Sequence, residues 1–215
     1  MKINMVCPLC KNTEHSEFFR DKRRVYRRCG NCQLVFVPAQ YFLSPAEEKA
    51  EYDLHENHVD DPGYRQFLAR LADPLCQRLE NSSNGLDFGC GPGPALAQIL
   101  SEKGHQVALY DPFYRADPAC LNKEYDFVTA TEVVEHLHDP AFELERLWSL
   151  LRPGAWLGVM TKLVVDQQAF ANWHYKNDPT HVCFFSRETW SWWASAQGGE
   201  LEFAGSDVIL LRRPR

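Results

Sequence analysis

The middle of the chain alternates short apolar runs with segments of mixed polarity. The runs have the length of buried strands and occur at residues 86–88, 106–110, 125–131 and 155–161. Strands that alternate with helices in this way favour a mostly parallel, doubly wound α/β sheet. Near the end of the chain, residues 200–204 and 208–212 alternate polar and apolar positions, which predicts a closing antiparallel hairpin.

One connection in this series is short. Thirteen residues separate Asp111 from Tyr125, which is fewer than a strand with a helical crossover requires. The third strand–helix unit of the sheet is therefore predicted to be shortened or lost.

Helical patterns precede the alternating region. Ser44 and Pro45 followed by two glutamates have the features of a helix start, with a capping side chain and acids in the first turn. A second helix is predicted from an apolar stripe at helical spacing, formed by Phe67, Leu68, Leu71, Leu75 and Leu79. The pattern predicts a helical connector over residues 41–84, which separates an amino-terminal module at 1–40 from a core domain at 85–215.

Four of the eight cysteines form two tight pairs. Cys7 and Cys10 make one Cys-x-x-Cys turn, and Cys29 and Cys32 make the other, eighteen residues later. Four thiolates directed at one point give the closed tetrahedral site of structural zinc. A module of about 40 residues rarely folds without such support. Residues 1–40 are therefore predicted to form a zinc ribbon, with a redox pair or an iron–sulfur site as the alternative.

The charge of the chain is unevenly distributed. The net charge is −6, yet residues 20–28 contain six basic residues and one acidic residue. The acidic remainder argues against an extended nucleic-acid surface. The basic segment is interpreted as a solvated hairpin, although contact with a nucleic acid or an anionic substrate stays open. No stretch approaches the roughly 18 apolar residues of a membrane helix and no signal core is present, so a soluble, cytoplasmic protein without membrane contact is predicted.

A glycine-rich turn follows the first core strand. Gly89, Gly91 and Gly93 come directly after Asp87, and a helix is predicted to start just beyond them. Glycine at this spacing allows a sharp turn and the close approach of a ligand, while the helix directs its first N–H groups to the same place. Asp111 ends the second strand, where nucleoside-binding α/β units hold ribose hydroxyls.

The chain resembles the class I S-adenosylmethionine-dependent methyltransferases over residues 50–215. Three motifs carry the resemblance: residues 86–93, the strand end at 110–111 and the turn at 151–157. The resemblance implies a Rossmann-like fold that binds S-adenosylmethionine. It also implies which residues contact the cofactor: Asp87, Gly89, Gly91 and Gly93 at its methionine end, Asp111 at its ribose, and Thr131 and Tyr64 elsewhere on it. Tyr52 and His58 would help Tyr64 to cover it, unless they serve ordinary packing. A dinucleotide-binding domain or an α/β domain without a cofactor are the alternatives.

The third strand runs into Glu132, Glu135 and His136. On a helical turn these side chains would share faces and could converge on one ion. The run resembles the Glu-x-x-Glu-His element of ubiquinone-pathway O-methyltransferases and small-RNA 2′-O-methyltransferases, where it holds a divalent metal. Residues 178–186 are similar to the segment that supplies a further histidine in the RNA enzymes, here His181. The resemblance implies that these four residues bind Mg, Mn or Zn at a second metal site. One alternative is a metal-free site in which His181 or His136 is the general base. The other is that these residues have purely structural roles.

The polar and aromatic insertion at 166–178 is expected to lie over the site, with residues 172–175 as pocket lining or lid. These features together predict an S-adenosylmethionine-dependent methyltransferase that acts on a small acceptor with a hydroxyl or carbon nucleophile, with or without the assistance of a metal ion. The alternatives are an RNA or protein methyltransferase whose zinc ribbon recruits the polymer, and a non-catalytic zinc-binding regulatory module.

Overall fold

The computed structural model describes residues 5–54 and 58–215. The predicted amino-terminal module also includes residues 1–4, and the predicted connector includes residues 55–57; both segments lie outside the described residues. Within the described ranges, no helix combines the length and the apolar character that a membrane span requires.

The described residues form the predicted strands and helices, with two differences among the strands: β8 (Cys183–Phe184) was not predicted, and β7 (Leu151–Met160) already begins at Leu151, inside the turn expected at 151–157. The strands are β1 His15–Arg20, β2 Val25–Cys29, β3 Val35–Phe36, β4 Asn84–Phe88, β5 Gln106–Tyr110, β6 Tyr125–Thr131, β7 Leu151–Met160, β8 Cys183–Phe184, β9 Glu200–Phe203 and β10 Val208–Arg212. The α-helices are α1 Pro45–Tyr52, α2 Pro62–Cys76, α3 Ala95–Glu102, α4 Pro140–Ser149, α5 Gln167–Ala171 and α6 Arg187–Gln197.

The main sheet has six strands in the order β5-β4-β6-β7-β10-β9. The first four are parallel, whereas β10 runs antiparallel to both β7 and β9. The Rossmann-like, mostly parallel sheet and its carboxyl-terminal antiparallel hairpin are thereby confirmed. Between β5 and β6 the chain makes only a 3₁₀ turn, Pro118–Asn122. The predicted loss of the third strand–helix unit is confirmed, and β5 becomes the edge strand.

The helices that flank this sheet begin and pack as their sequences dictate. Ser44 caps α1 in a reciprocal capping box with Glu47, which satisfies two donors of the first turn. Helix α2 buries Leu68, Leu71 and Leu75 against the face of the sheet. This burial confirms the predicted stripe at these three positions, whereas Phe67 and Leu79 are half-buried and Leu79 lies beyond the end of the helix.

A second sheet has four strands in the order β1-β2-β3-β8. Its first three strands form the cysteine-bearing module, but β8 belongs to the segment that follows the insertion of the core. Val35 pairs with Phe184 and Phe36 pairs with Cys183 in antiparallel register. The two sheets also share one hydrophobic core, so the amino-terminal module is built into the side of the larger domain.

Candidate functional site

Four sulfur atoms lie close together at the end of the amino-terminal module. The Sγ atoms of Cys7 and Cys32 are 3.5 Å apart, and those of Cys10 and Cys29 are 3.4 Å apart. All four lie within 4.8 Å of one another, compared with a separation of about 3.8 Å in a tetrahedron with zinc–sulfur bonds of about 2.3 Å. The contact between Cys7 and Cys32 lowers the pKa of Cys7 to about 5 and raises that of Cys32, as expected of two sulfurs that share one proton. The donor set is compatible with zinc.

The glycine turn forms an open floor at the carboxyl end of β4. Gly89 has φ +73° and Gly91 has φ +62°, a backbone region that favours glycine. A Cβ atom on Gly89 would lie 2.4 Å from a methyl group of Val133, whereas one on Gly91 would meet nothing within 4 Å. The Gly89 N–H donates to the carbonyl of Tyr110 at 2.8 Å. The turn is therefore fixed against β5 on one side and open above Gly91.

Asp87 and Asp111 lie at neighbouring strand ends beside this floor. Asp87 is 4% exposed and accepts a hydrogen bond from the hydroxyl of Thr129 at 2.8 Å. Burial, with a smaller contribution from the negative charge of Asp111, raises the pKa of Asp87 to about 7. Asp111 Oδ2 accepts from the N–H of Gly91 at 3.0 Å, while its Oδ1 accepts from two N–H groups of the following turn. Asp111 thus connects the glycine turn to the end of β5.

Two further residues of the expected cofactor set face the same region. Thr131, the last residue of β6, has a buried hydroxyl without a hydrogen-bond partner among the described residues. Tyr64 lies in the first turn of α2, and burial together with the carboxylates of Asp87 and Glu132 raises its pKa to about 12. A buried hydroxyl without a partner, at the carboxyl end of the strand that pairs with β4, is expected where a polar ligand binds.

The chain beyond β6 brings most of the predicted catalytic group together. Glu135, His136 and His181 have ligand atoms within 4.8 Å of one another. Residues 134–136 form a 3₁₀ turn, and the N–H of Val182 donates to the carbonyl of Glu135 at 2.8 Å. The imidazole rings of His136 and His181 meet edge to face, with centroids 4.6 Å apart. Two residues close in sequence and one from the far end of the insertion therefore form a single cluster.

Glu132 stands outside this three-residue group. Its φ is +52°, so it precedes the helical turn instead of sharing a helical face with Glu135 as the spacing suggested. The hydroxyl of Tyr175 connects the two acids: it donates to Glu135 Oε1 and lies 3.4 Å from Glu132 Oε2. Thr161 contacts the same hydroxyl at 3.2 Å. A left-handed conformation at a glutamate costs free energy that the surroundings must offset.

Burial controls the electrostatics of both acids. Glu135 is fully buried, and burial and then the charge of Glu132 raise its pKa to about 8. Burial raises the pKa of Glu132 to about 7, although the positive charge of Lys162 opposes the shift. Glu132 Oε1 and Glu135 Oε2 are buried atoms without hydrogen-bond partners among the described residues. Carboxyls of this kind change protonation near neutral pH and have unused acceptor capacity.

The orientation of His181 follows from its neighbour. Its Nδ1 lies 2.7 Å from the carbonyl oxygen of Tyr175. Because a carbonyl oxygen only accepts, Nδ1 carries the hydrogen. The other ring nitrogen, Nε2, lies 3.7 Å from Asp178 Oδ2 and is the one that can bind an ion or accept a proton. Helix α1 contributes Tyr52, whose ring meets that of His136 with centroids 5.2 Å apart. His58, the third residue expected over the cofactor, is exposed.

The basic segment is only partly solvated. Arg20 pairs with Glu17 at 2.8 Å, Arg23 donates to the carbonyl of Asn177 at 3.0 Å, and Arg24 is 7% exposed. Several of the charges that suggested a polymer contact are therefore used within the protein.

Tyr175 and Arg24 are the residues whose importance sequence reasoning missed. Tyr175 was expected only as part of a pocket lining or lid, and its contact with Glu135 spans 40 residues of sequence. Arg24 was one of six bases in a charged run. No pattern along the chain distinguishes either side chain, because their partners come from a distant segment.

A family model described as a methyltransferase domain matches residues 57–202. No curated protein sequence matches the chain. Among solved structures, 1,6-didemethyltoxoflavin-N1-methyltransferase of Burkholderia thailandensis, with 1,6-didemethyltoxoflavin and S-adenosylhomocysteine bound, is similar at 16% identity and a TM-score of 0.52, over 94% of this chain and 100% of that one. An S-adenosylmethionine-dependent methyltransferase of Archaeoglobus fulgidus is similar at 18% identity and a TM-score of 0.53, over 69% and 94%.

A methyltransferase of calicheamicin biosynthesis, in its S-adenosylhomocysteine-bound form, is similar at 15% identity and a TM-score of 0.51, over 80% of this chain and 59% of that one. At these identities the likeness demonstrates the shared fold.

Proposed function

The chain belongs to the methyltransferase-domain family, and from that premise we propose that it transfers a methyl group from S-adenosylmethionine to a small acceptor with a hydroxyl or carbon nucleophile. The observation that carries the proposal is the open floor at Gly91, flanked by the carboxylates of Asp87 and Asp111. Two structures of similar fold hold S-adenosylhomocysteine, which supports the same cofactor here.

The residues beside this floor suit the cofactor. The methionine end of the cofactor would be held by Asp87, Gly89, Gly91 and Gly93. Its ribose hydroxyls would be bound by Asp111, and its other polar groups by Thr131 and Tyr64. The orphaned Thr131 hydroxyl and the buried Asp87 carboxyl suit a hydrogen-bonding, positively charged ligand of this kind. When bound, S-adenosylmethionine supplies a methyl group on a sulfonium centre.

The acid–imidazole cluster would align the acceptor and take its proton. Glu135, with its pKa raised to about 8, is suited to proton acceptance near neutral pH, and Glu132 lies beside it through Tyr175. Glu135, His136 and His181 also suit Mg, Mn or Zn by ligand type. Such an ion would lower the pKa of an acceptor hydroxyl; in a metal-free site His181 or His136 would be the base.

In the proposed division of the chain, the first 40 residues bind zinc and support the transferase core. Residues 1–40 form a zinc ribbon on Cys7, Cys10, Cys29 and Cys32, residues 41–84 cover the cofactor, and residues 85–215 form the transferase core, whose strand β8 completes the ribbon sheet. Because Arg23 and Arg24 of the basic segment contact this core, a small acceptor is favoured over a polymer that the ribbon recruits.

Transfer of a labelled methyl group tests this function. The purified protein is incubated with methyl-tritiated S-adenosylmethionine and either a small-molecule filtrate of a cell extract or its RNA and protein fractions. We expect label to enter the filtrate compounds in amounts proportional to the protein. Labelling confined to RNA or protein would refute the small acceptor. Absence of both transfer and saturable cofactor binding in calorimetry would leave only a regulatory module.

Asp111→Ala should weaken the binding of S-adenosylmethionine by roughly 1–3 kcal/mol, because it removes a charged acceptor for the ribose hydroxyls. Calorimetric titration of the wild type and the variant measures the effect. Asp117→Ala is the matched control: Asp117 also accepts from a backbone N–H after β5, that of Ala119 at 2.9 Å, yet it lies outside the proposed site. Equal affinities for the wild type and Asp111→Ala would exclude the ribose role.

Cofactor binding should depend on the ionisation of Asp87. Because its pKa in the folded protein is raised to about 7, the carboxyl is mostly protonated at pH 6, and a cationic ligand must displace that proton. We expect affinity to rise about fivefold between pH 6 and pH 7 as the ionised fraction grows. Titrations in buffers of different ionisation enthalpy should detect proton release. In Asp87→Asn binding should be weaker and should lose this dependence; an unchanged pH profile in that variant would contradict the assignment.

A further inference from the structure

Four consecutive carbonyl groups of the insertion face the hairpin of the amino-terminal module. Arg24 Nη2 donates to the carbonyls of Lys176 and Asp178 at 2.5 and 2.6 Å, and its Nη1 donates to that of Pro179 at 3.1 Å. Arg23 donates to the remaining carbonyl, that of Asn177, at 3.0 Å. Every peptide carbonyl from 176 to 179 is thus bound by an arginine of the ribbon.

Arg24 is committed to this contact. It is 7% exposed, and its Nε donates to the hydroxyl of Tyr26 at 3.1 Å. The Tyr26 hydroxyl lies 3.1 Å from the carbonyl oxygen of Lys176 and 3.2 Å from Asp21 Oδ2, and it donates its one hydrogen to either acceptor. A guanidinium that is removed from water requires nearly all its donors to be paired, and here the partners are neutral oxygen atoms in fixed directions. The planar, forked geometry of arginine suits several acceptors at once, which an ammonium cannot reproduce.

The segment held in this way has a proposed site residue at each end. Tyr175 precedes it and donates its hydroxyl to Glu135. His181 follows it, with Nδ1 bound to the carbonyl of Tyr175. Beyond His181, the carbonyl of Val182 accepts from Val37 at 2.9 Å, and its N–H donates to the carbonyl of Glu135 at 2.8 Å. The loop between Tyr175 and His181 is therefore fixed on one side by the ribbon and on the other by the turn that bears Glu135.

We propose that Arg24 is a positioning residue, which fixes residues 176–179 so that the Nδ1 of His181 stays bound to Tyr175 and its ring stays beside Glu135 and His136. This inference rests on the proposed function, because only a methyl-transfer site at this cluster gives the orientation of His181 a purpose. The ribbon then supports the reaction site through a contact, that of Arg24 with Lys176, which spans 152 residues of sequence. Its basic segment contacts the protein itself.

The orientation of the His181 ring is measurable without an acceptor. In the zinc-loaded full chain labelled with ¹⁵N-histidine, the Nδ1–H of His181 should give a slowly exchanging NMR signal, assigned by its loss in His181→Asn. We expect this proton to exchange roughly 10- to 100-fold faster in Arg24→Lys, as loss of charged hydrogen bonds predicts. Arg23→Lys, which changes one exposed contact, should leave the signal unchanged.

A merely structural role gives a different result. If Arg24 only stabilises the ribbon, Arg24→Lys lowers Tm but the folded protein keeps the protected ring proton, which overturns the proposal. Should Arg24→Lys fail to fold, Tyr26→Phe removes one hydroxyl from the same network and should accelerate the exchange in the same direction; unchanged exchange there also overturns it. Titration of the wild type and of each variant with S-adenosylmethionine is a separate measurement. If the wild type shows no saturable binding, the proposed function is refuted, while the exchange of the ring proton still decides the role of Arg24.

Discussion

Glu135→Gln is expected to lower the rate of methyl transfer by roughly 10²- to 10⁴-fold, the usual contribution of a general base, and to leave the affinity for S-adenosylmethionine unchanged. The carboxyl is fully buried beside His136 and His181, and its Oε2 has no hydrogen-bond partner among the described residues. Glutamine keeps the shape and the contact with Tyr175 but can neither accept a proton at neutral pH nor provide an anionic ligand. Single-turnover transfer of labelled methyl to the accepting filtrate measures the rate, and calorimetry measures the affinity.

Stability distinguishes a catalytic from a structural role in the same variant. The pKa of Glu135 is raised from 4.5 to about 8 in the folded chain, so the folded state binds more protons than the unfolded state between these values. Ionisation of Glu135 therefore costs stability as pH rises from 4.5 to 8, and glutamine removes that cost. Tm at pH 8 should be equal or higher in Glu135→Gln even though transfer is lost.

The control for this variant is Glu143→Gln. Glu143 in α4 is also a half-buried glutamate whose pKa is raised by burial, but it pairs with Arg146 at 2.5 Å and lies outside the cluster. Its replacement should leave transfer unchanged. Wild-type transfer by Glu135→Gln would exclude Glu135 as base or ligand.

The features that sequence reasoning found are those that short-range patterns encode. The apolar runs at 86–88 and 106–110 lie in β4 and β5, and the thirteen residues after Asp111 contain only the 3₁₀ turn Pro118–Asn122. The two Cys-x-x-Cys turns each fix a pair of sulfurs locally, so their convergence follows once the strands between them pair. In each case the determining residues lie at most 25 positions apart, the separation of Cys7 and Cys32.

The features that it missed depend on contacts between distant segments. Strand β8 joins the ribbon sheet because two residues, Cys183 and Phe184, continue the ladder of Val35 and Phe36, and two residues are too few to give a strand pattern. The left-handed conformation of Glu132 has no local signal either, since nothing in its own sequence requires it. Tertiary structure sets both, and both lie at the proposed site, where local rules are most often broken.

Cys32→Ser should have the largest effect on the fold. Removal of one of four thiolates should abolish tight zinc binding, and structural zinc in small modules contributes roughly 10–16 kcal/mol of apparent binding energy. Because β8 completes the ribbon sheet, we expect hydrogen-exchange protection to be lost over residues 5–37 and also over 175–185, while β4 to β7 stay protected. Tm should fall by roughly 10 °C or more, since each kcal/mol is worth about 2–4 °C in a chain of this size.

Cys76→Ser is the matched control for the zinc prediction. Cys76 is a half-buried free thiol at the end of α2, outside the four-sulfur cluster, so its replacement should keep one zinc per chain and wild-type exchange. Treatment of the wild type with a zinc chelator should reproduce the exchange pattern of Cys32→Ser, because both remove the same ion. Full protection of residues 175–185 in a chain that has lost its zinc would show that the ribbon does not support the segment of His181.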